Sequence, residues 1–153
     1  MAIATNALRS RLVVVFAFAI AGVAFAGCGD DGGAKVDVTL GEFIVEPDPT
    51  SEDAGEIEFV GDNGGGETHE LVVVRAANAE ELPTDADGAV DEAQLPEGAL
   101  IGEIEDIEAG TSKSVTLDLE AGDYVLFCNV TEEADGEVES HFAEGMHADF
   151  EAE

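Results

Sequence analysis

The sequence has no tryptophan, one tyrosine, and only five lysines and arginines against 36 aspartates and glutamates. Its formal net charge is −31. Each shortage excludes something. Without clustered cations the chain cannot neutralise a phosphate backbone, which rules out nucleic acid as a partner. Without tryptophan the core must rest on Val, Ile, Leu and the eight phenylalanines. At 45% hydrophobic residues over 153 positions, that is enough for one domain core and no more. The acidity itself has two readings: a solubility device, or a face that steers a basic partner protein. Cysteine, methionine and histidine are scarce too, at two, two and three.

The N-terminal segment stands apart. Arg9 and Arg11 precede the apolar run "LVVVFAFAIAGVAFAG" at 12–27. These 16 residues fall short of the roughly 20 that cross a bilayer, and they end in small residues before Cys28. This is the layout of a signal peptide over residues 1–27. "FAGC" resembles a bacterial lipobox, with Phe25 where Leu is usual, and that resemblance implies lipidation of Cys28. Residues 28–34 then form a flexible tether, and residues 35–153 the folded domain, held at the membrane and facing the periplasm or cell exterior. Cleavage leaves three cations against 36 acids, a net charge of −33. With Cys28 carrying lipid, Cys128 has no disulfide partner, so the exported domain holds a lone thiol that must be buried or occupied.

Along the domain the hydrophobic period is two. Val36, Val38 and Leu40 alternate, as do Ile57 and Phe59, and His69, Leu71 and Val73. The segments 35–45, 55–63, 68–74, 100–107, 114–119, 123–130 and 146–153 read as strands, with turns at "GDNGGGE", "EAG" and "EAGD". Residues 75–99 read as an acidic connection with one short helical turn. Seven to eight short strands at regular spacing predict an all-β, antiparallel Greek-key sandwich. The "DADG" and "EADG" stretches do not fit a calcium loop, because the ligand positions around their glycines hold the wrong residues.

Within "YVLFCNVTEEADGEVESHFAEGMH", residues 124–147, lie Cys128, His141, Met146 and His147. A thiolate and an imidazole are strong ligands for a borderline-soft metal, and a thioether adds a weak, soft one. Two His and one Cys with a long axial Met is the type 1 copper set, whereas zinc takes four strong ligands. The second histidine must come from elsewhere, and His69 is the only one left. His147 alternates with Met146 along a strand and is expected to face away.

The patterns "HELVVV", "DLEAGDYVLFCN" and "HFAEGMHADF" resemble the cupredoxin family, near the plastocyanin- and azurin-like copper proteins, from about residue 35 to the C-terminus. The resemblance implies His69, Cys128, His141 and Met146 as ligands of one type 1 copper ion. It also implies an electron carrier that cycles Cu(I) and Cu(II) rather than an enzyme, with redox proteins as partners. In such proteins the second histidine exposes an edge through an apolar patch, which would make His141 the electron port. Glu132, Glu133, Asp135, Glu137 and Glu139 are expected to ring it and to speed docking to a basic redox partner. The other function carried forward is a non-redox copper carrier, storage or sensing protein of the same fold.

Two departures from the family pattern stand out. Twelve residues separate Cys128 from His141 where a few are usual, which puts the rigidity of the site in question. Glu70 follows His69 where many members carry an Asn that ties the two ligand loops together, so that tie is expected to be missing or replaced.

Overall fold

The structure, a computed structural model, describes residues 33–134 and 136–153. The predicted leader, the Cys28 lipidation point, most of the tether and Asp135 lie outside the described residues. No helix among the described residues is long and apolar enough to cross a membrane.

Two sheets face each other. The first runs β2 (Ile44–Asp48), β1 (Ala34–Gly41), β4 (Gly55–Asn63), β7 (Ser112–Leu119). The second runs β3 (Ser51–Glu52), β11 (His147–Ala152), β8 (Gly122–Phe127), β5 (His69–Arg75), β6 (Leu100–Ile107). A separate hairpin pairs β9 (Thr131–Ala134) with β10 (Glu137–Ser140). The alternating residues do what their period requires: Val36, Val38, Leu40, Ile57 and Phe59 enter the space between the sheets, where Leu71, Val73, Leu126 and Phe150 meet them. Phe59 and Phe150 cross that space edge to face, 5.4 Å between ring centroids. Such a pair adds about 1 kcal/mol beyond its buried area.

Gly61 is one point where the two sheets approach closely. A Cβ there would sit 2.8 Å from Ile107 Cδ1 and 3.4 Å from Leu40 Cδ1. Alanine at Gly61 would therefore require Ile107 and Leu40 to shift near the end that carries the site.

Three features differ from the sequence expectation within the expected sandwich. The pairings β1–β4 and β11–β3 are parallel, the rest antiparallel. Alternation has the same period in both senses, so it cannot distinguish them. Residues 75–99 are also more than a connection. Ala79, Leu82, Val90 and Ala99 fold, through two 3₁₀ turns (Ala79–Glu81 and Glu92–Gln94), over the outer face of β5 and β8. There they bury Val72, Val74, Val125 and Phe127, which is why β5 reads as a continuous apolar run. Finally, the twelve-residue excursion is ordered into the β9–β10 hairpin. Ser140 pairs with Thr131, and the His141 N–H donates to the Val130 carbonyl at 3.0 Å, so the insertion closes at its own base.

Candidate metal centre

His69 opens β5 just after the "GGGE" loop, and that loop is held tightly. Asn63, fully buried, donates through Nδ2 to the carbonyls of Glu67 (2.8 Å) and Ile107 (2.7 Å), and its Oδ1 accepts from Gly65 N–H (2.9 Å). From the other side the Glu42 carboxylate accepts from the Gly66 and Glu67 N–H groups. These bonds hold the Glu42 carboxyl below the usual range, most of all the one from Gly66. Beside His69 the β5–β6 register slips: His69 faces Ile107 and Leu71 faces Ile104, with Asp106 in the left-handed region at φ 54°. A bulge of this kind re-aims the neighbouring side chain.

Cys128 follows the last residue of β8 and packs beneath the same end of the sandwich. Its N–H donates to the Met146 carbonyl at 3.0 Å, and the Met146 N–H donates to the His141 carbonyl at 3.0 Å. The turn between them depends on Gly145, which takes φ 102°, a value side-chain-bearing residues avoid. The buried Ser140 hydroxyl accepts the Ala143 N–H at 3.3 Å and helps cap the turn. Cys128, His141 and Met146 are thereby locked to one another through the backbone.

The result is a buried convergence. His69 Nδ1 and His141 Nδ1 lie 3.2 Å apart, and Cys128 Sγ is 3.8 Å from the first and 3.4 Å from the second. A single ion bound at about 2.0 Å by each nitrogen and about 2.3 Å by the sulfur, at trigonal angles, needs spacings of about 3.5 and 3.7 Å. The donors therefore fit one small cation. Met146 is buried in the same core cluster as Cys128. His69 and Cys128 are fully buried, and His141 is 3% exposed.

Burial favours the neutral forms of Cys128 and His69. Burial pushes the Cys128 thiol up to about 11, against smaller opposing help from the Glu70 and Val130 N–H groups. Burial also lowers the His69 pKa, with His141 adding to that and Glu42 and Glu67 opposing it. The lone thiol is thus protonated and shielded, which answers the hazard of an unpaired cysteine.

Glu70 takes over the tie between the ligand segments that Asn makes elsewhere. Its N–H points at Cys128 Sγ (3.4 Å), and its carboxylate accepts the Asn129 N–H (3.0 Å). Asn129 in turn accepts from the Val90 N–H and donates to the Val90 carbonyl and to Glu92. The outer layer, β5 and the cysteine segment are stitched together around one sulfur. Burial raises the Glu70 carboxyl to about 7, the Asn129 bond opposing this and Glu92, Glu103 and Glu105 adding to it.

His147 is exposed and lies against the Phe142 ring at 5.2 Å, facing away as its alternation implied. His141 is 3% exposed, and its Nε2 faces the Glu67 carboxylate at 3.5 Å, with Glu132 beside them. Of the five acids expected around this edge, the structure brings Glu132 to it. Glu67, which sequence reasoning missed, is an exposed polar residue with no periodic signal, marked only by its position two residues before His69.

Comparison with known proteins agrees with this architecture. No protein-family model matches the chain, and no curated protein sequence matches it. Among solved structures, the chain is similar to dithionite-reduced auracyanin from the photosynthetic bacterium Roseiflexus castenholzii: 20% identity, 79% of this chain and 99% of that one, TM-score 0.56. It is similar to auracyanin B at 20% identity, covering 79% of this chain and 89% of that one, TM-score 0.53. An azurin from Methylomonas sp. strain J matches at 19% identity over 80% and 99% of the two chains, TM-score 0.53. The fold is the cupredoxin fold, and the donor set at its end is of the type 1 copper kind.

Proposed function

We propose that the protein is a one-electron carrier whose single type 1 copper ion is held by His69, Cys128, His141 and Met146. The observation that carries this reading is the meeting of two imidazole Nδ1 atoms and one thiol sulfur within 3.8 Å of one another in a buried pocket. A bound copper ion supplies the Cu(I)/Cu(II) couple. The chain's own residues do the rest. The three donors come from separate segments that are each pinned by backbone hydrogen bonds, so they change position little with charge, and a small rearrangement favours fast transfer. The Glu70 N–H at Cys128 Sγ withdraws density from the sulfur, and the apolar packing excludes water; both tune the potential. We read the protein as a carrier and not an enzyme.

The partners we propose are redox proteins with a basic face that meets the acidic surface. The leader layout supports export, with lipidation at Cys28 holding residues 35–153 outside the cytoplasm; the mass of the mature N-terminal peptide tests it. For the site, anaerobic titration of the apo-protein with copper should give a strong copper–thiolate band at one equivalent, bleached reversibly by ascorbate. A tight, colourless Cu(I) complex that resists oxidation would instead mark a storage or delivery protein.

A further inference from the structure

His141 uses only one ring nitrogen in the donor cluster. Its Nδ1 joins His69 and Cys128, while Nε2 on the far edge points at Glu67 Oε2, 3.5 Å away and outside the range of a formed hydrogen bond. Glu132 completes a second group: donor atoms of Glu67, Glu132 and His141 all lie within 4.8 Å of one another. The two carboxylates are solvent-accessible, whereas the imidazole between the two groups is 97% buried, being 3% exposed. We infer that Glu67, Glu132 and His141 Nε2 form an outer capture site for the incoming copper ion, which then passes along the His141 ring to the inner donors. This rests on the copper reading above.

The chemistry suits a way station. Carboxylate oxygens with one imidazole hold a divalent cation loosely, and the buried thiolate with two imidazoles outcompetes them for copper. His141 is the least buried of the three inner donors, so an ion approaching them meets its edge first. Glu132 stands on β9, within the twelve-residue insertion between Cys128 and His141, and Glu67 stands in the loop that Asn63 and Glu42 lock. The insertion thereby acquires a role at the site. No redox change is part of the step: the ion moves with its charge unchanged, and Cys128 releases its thiol proton to solvent as the copper–sulfur bond forms.

The test is stopped-flow uptake of Cu(II) by anaerobic apo-protein, followed by the copper–thiolate band, for wild type, the double variant Glu67→Gln/Glu132→Gln and a control double variant Asp123→Asn/Glu151→Gln. The control removes the same charge from a cross-strand pair at the opposite end of β8. The wild-type rate should saturate with copper concentration, as a capture step requires. The Glu67/Glu132 variant should load about tenfold more slowly and without saturation, reaching the same final spectrum. The control should behave as wild type. Equal slowing in both double variants, or unchanged loading in the first, overturns the capture site while leaving the inner copper site intact. Absence of the band in all three proteins overturns the copper reading as well.

Discussion

Replacing Glu70 by Gln should flatten the pH dependence of the apo-protein's stability. In the unfolded chain the Glu70 carboxyl loses its proton near its ordinary 4.5, whereas the folded chain retains it up to about 7. Between those values the folded state holds one more proton, so this group's contribution to stability falls as pH rises and is lost above about 7. The full gap corresponds to about 3 kcal/mol, and because Glu70 is partly solvent-exposed, screening reduces this to about 1–2 kcal/mol. Gln keeps an oxygen for the Asn129 N–H and removes the charge that burial opposes. Urea unfolding of apo wild type and variant at pH 5 and pH 8 supplies the assay. The variant should gain about 1–2 kcal/mol over wild type at the higher pH and little at the lower. Parallel stability profiles would refute the idea that a half-buried, ionising carboxylate bridges the two ligand segments.

The Cys128 thiol is held up to about 11, so copper must displace its proton, and calorimetry in buffers of different ionisation enthalpy should show about one proton released per ion near neutral pH, with affinity rising as pH rises. Asn63→Ala strips two donors, one from the buried Ile107 carbonyl and one from the part-buried Glu67 carbonyl, and one acceptor from the loop before His69, and should cost about 3 kcal/mol of stability by chemical denaturation. The same change should slow and broaden copper loading, because the histidine loses its anchor.

Much of this molecule is legible in its sequence, and the parts that are not have identifiable causes. The strands at 55–63 and 100–107 coincide with β4 and β6: Ile57 and Phe59 alternate cleanly in the first, and glycine or acidic turns bound both, although a bulge breaks the period in the second. The meeting of His69, Cys128 and His141 was readable because donors so scarce leave few combinations. The β9–β10 hairpin was hidden: Glu-rich strands carry no hydrophobic period, and they pair here because the turn and the closed base hold them. The outer layer of residues 76–99 was hidden as well, since Ala79, Leu82, Val90 and Ala99 are irregularly spaced among acids and prolines. Glu42 reaches the loop before His69 from 24 and 25 residues away, and Asn63 reaches the Ile107 carbonyl across 44 residues. No local pattern encodes such a partnership.

The most direct measurement is X-ray absorption at the copper edge of the loaded protein, oxidised and reduced. One short sulfur neighbour and two imidazole nitrogens, barely displaced between the two states, are the expected result. A copper ion surrounded only by oxygen and nitrogen, with no sulfur contact, would place the metal elsewhere and contradict the assignment of the buried cluster.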